Sequence, residues 1–126
     1  MDNLTRLDNL LDMDPLLLME HLRKEVDLRF PDGIDTETGK MEAVQMLNKA
    51  AAYVCYFKEM ETLARITKRD RKRQGCGKEE FDRILGVEEV MEAYKRIAEM
   101  HYDAITRMLY TKKLMLEETR MLGKTV

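Results

Sequence analysis

The sequence predicts an all-α protein, an elongated helical hairpin or helical bundle. Three observations lead there. Helix breakers are sparse: the 126 residues hold two prolines and six glycines, and no proline or glycine lies between Gly39 and Gly75 or between Gly86 and Gly123. Apolar residues in those two stretches recur at threes and fours, the period of a helix with one buried face. Methionine, a strong helix former with a pliable side chain, occurs eleven times.

The elements follow in chain order. Leu4, Leu7, Leu10 and Leu11 fall at helical spacing over residues 3–11, with Asp2 or Asn3 as the expected cap. Asp14-Pro15 restarts the chain: Asp14 is expected to cap a second helix, and Pro15 suits its first position, where the missing N–H is not needed. That helix is expected to reach about Leu28, with Leu18, Leu22 and Val26 inward and Leu17 and Met19 beside them. Phe30-Pro31-Asp32-Gly33 reads as a turn. An acidic loop over residues 31–39 follows.

The first long helix is expected from about residue 41 to 74, with Val44, Leu47, Ala51, Val54, Phe57, Met60 and Ala64 on one stripe. Ala50, Ala51 and Ala52 suit a close helix crossing. Lys68-Arg69-Asp70-Arg71-Lys72-Arg73 ends it, then Gln74-Gly75. Cations in a last turn complement the helix dipole, and glycine just beyond it is a common stop. Residues 75–86 are expected as the hairpin tip, with a short helical piece carrying Phe81, Ile84 and Leu85, broken or bent at Gly86. The second long helix is expected over residues 87–122. Val87, Val90, Tyr94, Ile97, His101, Ala104, Met108 and Met115 are expected along one side, with Met91, Ala98, Ile105, Leu109 and Leu116 widening the stripe. The whole chain, 1–126, reads as a single helical domain.

Each long helix would measure about 50 Å at the standard rise. A compact domain of this length has a diameter of only about 36 Å. The expected hairpin is therefore elongated and leaves apolar stripe uncovered, which calls for a protein partner or self-association.

Composition narrows the function classes. Charged residues make up 37% of the chain, yet the net charge is only −2. No global imbalance points to nucleic acid or to an anionic membrane. The acidic amphipathic start lacks the basic leader of a signal peptide, and the run Leu16 to Met19 is too short to span a bilayer. The expected location is cytoplasmic, with no membrane contact. Cys55 and Cys76 lie about 30 Å apart if the intervening chain is helical, too far for a disulfide. No metal site and no cofactor are expected. Neither histidine has a glutamate three residues before it, since Leu18 precedes His21 and Ala98 precedes His101. P-loop, dinucleotide and nucleophile-elbow signatures are absent from the sequence.

Charge is uneven along the chain. Residues 1–42 hold eleven acidic and five basic side chains, whereas residues 43–78 hold three acidic and nine basic. Lys68, Arg69, Arg71, Lys72, Arg73 and Lys78 crowd the hairpin tip against Asp70 alone. Phosphate contact is one use for such a cluster; a solvated helix end is the other reading. Base-stacking aromatics are missing from this segment.

Arg96-Ile97-Ala98-Glu99-Met100-His101 places histidine five positions after arginine. This spacing resembles the motif of the HEPN ribonucleases, small helical domains in which arginine and histidine from two subunits meet and cleave RNA. The resemblance implies Arg96 and His101 as catalytic candidates. It departs from the family pattern at Ile97, where a polar residue is usual, and at Asp103, where a tyrosine often stands. Cys76, between two glycines and near cations, has surroundings that can raise a thiol's reactivity, but no histidine is near it in sequence, and incidental exposure is the favoured reading.

The expectation from sequence is a non-catalytic helical interaction protein that binds another macromolecule. By analogy with other short, charge-dense helical proteins, it suits an accessory or inhibitor role of the kind found in phages and mobile elements. A nucleic-acid-binding or nucleoprotein-assembly subunit using the basic tip is the second expectation, and a HEPN-like ribonuclease the third.

Overall fold

The structure, a computed structural model, describes residues 3–31 and 33–124. Four helices account for most of them: α1 (Asn3–Leu11), α2 (Pro15–Glu25), α3 (Glu37–Arg73) and α4 (Lys78–Lys124). The described residues form no strand. The two long helices pack against each other as a hairpin, and the chain divides into two compact units that both helices run through.

The first unit comprises residues 1–27 and 53–97. Its core joins Leu7 and Leu10 of α1, Leu18 and Leu22 of α2, Phe57, Met60 and Ala64 of α3, and Val87 and Met91 of α4. Burying a large apolar side chain contributes about 1.5–3 kcal/mol, so this layer, rather than helix propensity, holds α1 and α2 in place. Phe57 is its hub. Tyr53, Tyr56 and Tyr94 surround it with ring centroids at 5.7, 5.3 and 5.6 Å. The tyrosine hydroxyls tie down α2 and the chain that leaves it. Tyr53 accepts from the Asp27 N–H at 3.2 Å and donates to the Glu25 carbonyl at 3.3 Å, and Tyr94 donates to the Met19 carbonyl at 3.4 Å. Burial pushes the Tyr56 phenol up, opposed by the Arg6 guanidinium 5.9 Å above its ring.

The second unit comprises residues 28–52 and 98–126. Its interior uses small side chains: Ala43 and Ala50 of α3 and Ala98 of α4 are fully buried. Among the described residues of this unit, Ile105 is the large apolar side chain that is fully buried, and small residues permit close helix approach. The connecting segment is anchored on α4 by Phe30, which stacks on the His101 ring at 4.5 Å, and by Asp35, which accepts from Lys112 Nζ at 2.6 Å.

Several elements differ from the sequence reading. Helix α4 begins at Lys78 and passes through Gly86 without a break, so the tip shrinks to the turn at residues 74–77. A glycine inside a helix costs about 1 kcal/mol, less than is gained by burying Ile84, Val87 and Met91 along the same face. Nor does Gly123 end the helix, which reaches Lys124.

Helix α3 starts at Glu37, inside the expected loop, because Thr36 caps it: Thr36 Oγ1 accepts from the Gly39 N–H at 3.0 Å. Gly39 is required there by close approach, since a Cβ would overlap the Gly33 carbonyl. Helix α2 ends at Glu25, short of Leu28, and Asp14 holds the cap position without a side-chain capping bond. The expected cap at Asp2 or Asn3 lies outside the described side chains.

The inward faces agree in part with those expected: Phe57, Met60 and Ala64 of α3 and Val87, Met91, Ala98 and Ile105 of α4 are buried as the pattern predicts, and the differences are local. On α3, Ala43 and Ala50 are buried while Val44 is exposed. On α4, Ile84, Val87, Met91, Ala98 and Ile105 are buried while Ile97 and Met115 are exposed.

Candidate functional site

The basic cluster at the hairpin tip is held by a glycine turn. Gly75 adopts φ +84, the left-handed conformation that glycine tolerates. The Cys76 N–H donates to the Arg71 carbonyl at 3.0 Å and the Gly75 N–H to the Lys72 carbonyl at 3.1 Å. This is a Schellman closure of α3. After one more glycine, α4 begins with Glu79 and Glu80 in its first turn, favourable to its dipole.

The turn sets α3 antiparallel to α4 and splits the six cations into two groups. Lys68 donates to Glu88 at 2.6 Å, and Arg71 donates to Glu80 at 3.1 Å. Lys68 and Lys72 also lie 6.0 and 5.8 Å from the Phe81 ring centroid. Arg69, Arg73 and Lys78 make none of these contacts and are exposed to solvent, as Arg71 and Lys72 also are. Phe81, the aromatic nearest the tip, is half-buried with both lysines beside its ring.

Behind the tip runs a ladder of ion pairs across the hairpin. Glu61, only 7% exposed, accepts from Arg65 at 2.9 Å and from Lys95 at 2.8 Å. Glu88 accepts from Arg65 at 3.3 Å as well as from Lys68. Burial pushes the Glu88 carboxyl up, but the hydrogen bonds from Lys68 and Arg65 outweigh it and hold the group below its ordinary range. An open cleft of about 580 Å³ lies beside this region, lined by Asp8, Asp12, Arg71, Glu80, Arg83 and Ile84 among others. Its charges are mixed.

The residues of the ribonuclease-like spacing sit in ordinary helical surroundings. The Arg96 guanidinium donates to Glu92 at 2.7 Å, one turn back on α4. His101 stacks against Phe30. His21 is exposed on α2. Both cysteines are free thiols, Cys55 exposed and Cys76 half-buried. Among the described residues, no group of three or more His, Cys, Asp or Glu side chains is placed to hold a metal ion. Nor is any described helix long and apolar enough to cross a membrane.

The sequence reading overlooked the outer surface of α4 in the second unit. Every residue from Lys113 to Gly123 is exposed. Tyr110 is 60% exposed, Leu114 46%, Met115 57%, Leu116 49% and Met121 69%. Tyr110, Leu114, Glu117 and Met121 recur at intervals of four, three and four, which places them along one stripe of the helix. The same spacing is legible in the sequence, but the more regular apolar series ending at Met115 and Leu116 masks it. Beside the stripe, a shallow cavity of about 400 Å³ is lined by Lys40, Leu109, Lys112, Lys113, Leu116, Glu117 and Arg120. Lys112, through its hydrogen bond and its charge, holds the exposed Asp35 carboxyl below its usual range.

No known protein family, no curated protein and no solved structure matches this chain.

Proposed function

We propose that this chain is a non-catalytic helical interaction protein, of accessory or inhibitor type, that docks a protein partner on the outer face of α4. One observation carries the reading: Tyr110, Leu114, Met115, Leu116 and Met121 crowd twelve residues of a single helix and are all exposed. Large apolar side chains clustered on a surface mark interaction sites more often than scattered ones do. An amphipathic helix face is a recurrent docking element.

The test is capture of partners, by the immobilised chain, from lysate of cells that also express the free chain, in low and high salt, beside a variant with Leu114→Glu and Met121→Glu. The expected result is capture that survives high salt and is lost in the variant. Capture that is indifferent to both substitutions would overturn the reading.

Binding of nucleic acid at the tip is the second reading, favoured by the exposure of Arg69, Arg73 and Lys78. It requires association with RNA or DNA that weakens steeply with salt and is lost on reversing those three charges. The ribonuclease reading stands on the Arg96 and His101 spacing alone. Metal-free RNA cleavage lost in both Arg96→Ala and His101→Ala would be its signature.

A further inference from the structure

We infer that the partner on the outer face of α4 is a second copy of this chain, paired antiparallel about a two-fold axis near Met115. The inference rests on the docking reading above and names its partner. It begins with the pattern Lys112-Lys113-Leu114-Met115-Leu116-Glu117-Glu118. About Met115 the pattern is symmetric in apolar character and opposite in charge. A two-fold axis makes an interface meet itself, so that residue i faces j and j faces i. In an antiparallel pair centred here, Lys113 of each copy meets Glu117 of the other beside a central pair of Leu114 side chains, while Leu116, two residues on, lies on another side of the helix. A parallel pair in register sets Lys113 against Lys113 and Glu117 against Glu117, a like-charge arrangement that disfavours association.

The structure makes this symmetry available. Tyr110, Leu114, Glu117 and Met121 share a stripe, and Lys113, four residues before Glu117, borders the same side. With the axis near Met115, Tyr110 of one copy comes opposite Met121 of the other, and Lys113 comes beside Glu117. Lys113 and Glu117 are both exposed, and among the described residues neither is held in an ion pair. Lys112 is occupied by Asp35 within its own unit, so Lys113 is the cation left for the partner. Two Lys113–Glu117 contacts and two Tyr110–Met121 contacts then flank a central pair of Leu114 side chains.

The test is the solution mass of the full chain against concentration, by light scattering and sedimentation equilibrium. Four samples are compared: the wild type, Lys113→Glu, Glu117→Lys, and an equimolar mixture of the two variants. Wild type is expected to reach twice the 14.9 kDa chain mass. Each single reversal turns two attractions into two repulsions and is expected to weaken association about tenfold. The mixture is expected to recover wild-type association as a heterodimer, because each copy then supplies the charge that the other lacks. Both substitutions are on exposed positions, and unchanged helicity by circular dichroism confirms the fold. A monomer at every soluble concentration overturns the inference, as does a mixture no tighter than its components. The docking reading fails separately, when lysate capture is indifferent to Leu114→Glu and Met121→Glu.

Discussion

The Lys68 ammonium lies 2.6 Å from Glu88 Oε2, a contact made from α3 to α4 and shared with Arg65 on the same carboxylate. Removing the acid strands Lys68 at a half-buried junction, while Arg65 keeps Glu61 at 2.9 Å. Glu88→Ala is expected to cost about 1–3 kcal/mol in urea unfolding, the range for hydrogen bonds to charged groups. The pH dependence has a defined sign. The carboxyl titrates below its ordinary 4.5 in the fold, so its stabilisation is complete above that pH and is lost as acid protonates the folded form. Stability of wild type therefore falls faster than that of Glu88→Gln once the pH drops below 4.5.

Glu61 is the most enclosed charge of the ladder, and it answers two cations. Glu61→Leu leaves Lys95, with 21% of its side chain exposed, without its acid. The expected loss is about 3–5 kcal/mol, the usual cost of breaking a buried pair from one side. The double variant Glu61→Leu, Lys95→Met removes the stranded charge and is expected to regain most of that stability. A double variant no better than the single would mean that Lys95 contributes by packing rather than by charge.

Two glycines are constrained for different reasons, and a third is not. Gly39→Ala drives a methyl into the Gly33 carbonyl and is expected to cost about 1–3 kcal/mol, as overpacking does. Gly75→Ala forces a side chain into the left-handed conformation of the turn, at about 1–2 kcal/mol. Gly77 has open space around it and no positive φ. Gly77→Ala is expected to stay within about 0.5 kcal/mol of wild type. Thermal melts of the three variants separate these cases.

Phe57 has three tyrosine rings around it and no exposure. Phe57→Ala is expected to cost about 3–5 kcal/mol, and to release α1 and α2 before the hairpin. Amide exchange that accelerates over residues 7–22 ahead of 57–64 would show it.

The hairpin and its helical class were legible because periodicity over thirty or more residues is a strong signal. What misled was the weight given to single glycines. Gly86 is a weak breaker when Ile84, Val87 and Met91 need the same face buried. Gly39 belongs inside a helix because Thr36 caps it, and only the fold reveals the Gly33 carbonyl above it. The local rotation of the buried face at the start of α3 was hidden as well. Val44 and Ala43 satisfy the apolar pattern equally, and the choice between them depends on how closely two backbones approach. Among the candidate residues, the basic tip was readable as a cluster. Its division into paired and exposed cations required the register of α3 on α4, which Glu88 and Glu61 fix from twenty to thirty-four residues away.

The four-residue turn at the tip has a consequence for the order in which the chain acquires structure. Closing a loop costs entropy that grows with the logarithm of its length. The contacts Arg71–Glu80, Lys68–Glu88 and Lys95–Glu61 span 9, 20 and 34 residues, so they can form one after another from the turn, each shortening the loop left to close. Tyr94 reaches Met19 across 75 residues, a search that this zipper makes worthwhile only once the Phe57 surface exists. Folding is thus expected to start at Gly75 and to finish with the N-terminal helices settling onto a surface already assembled.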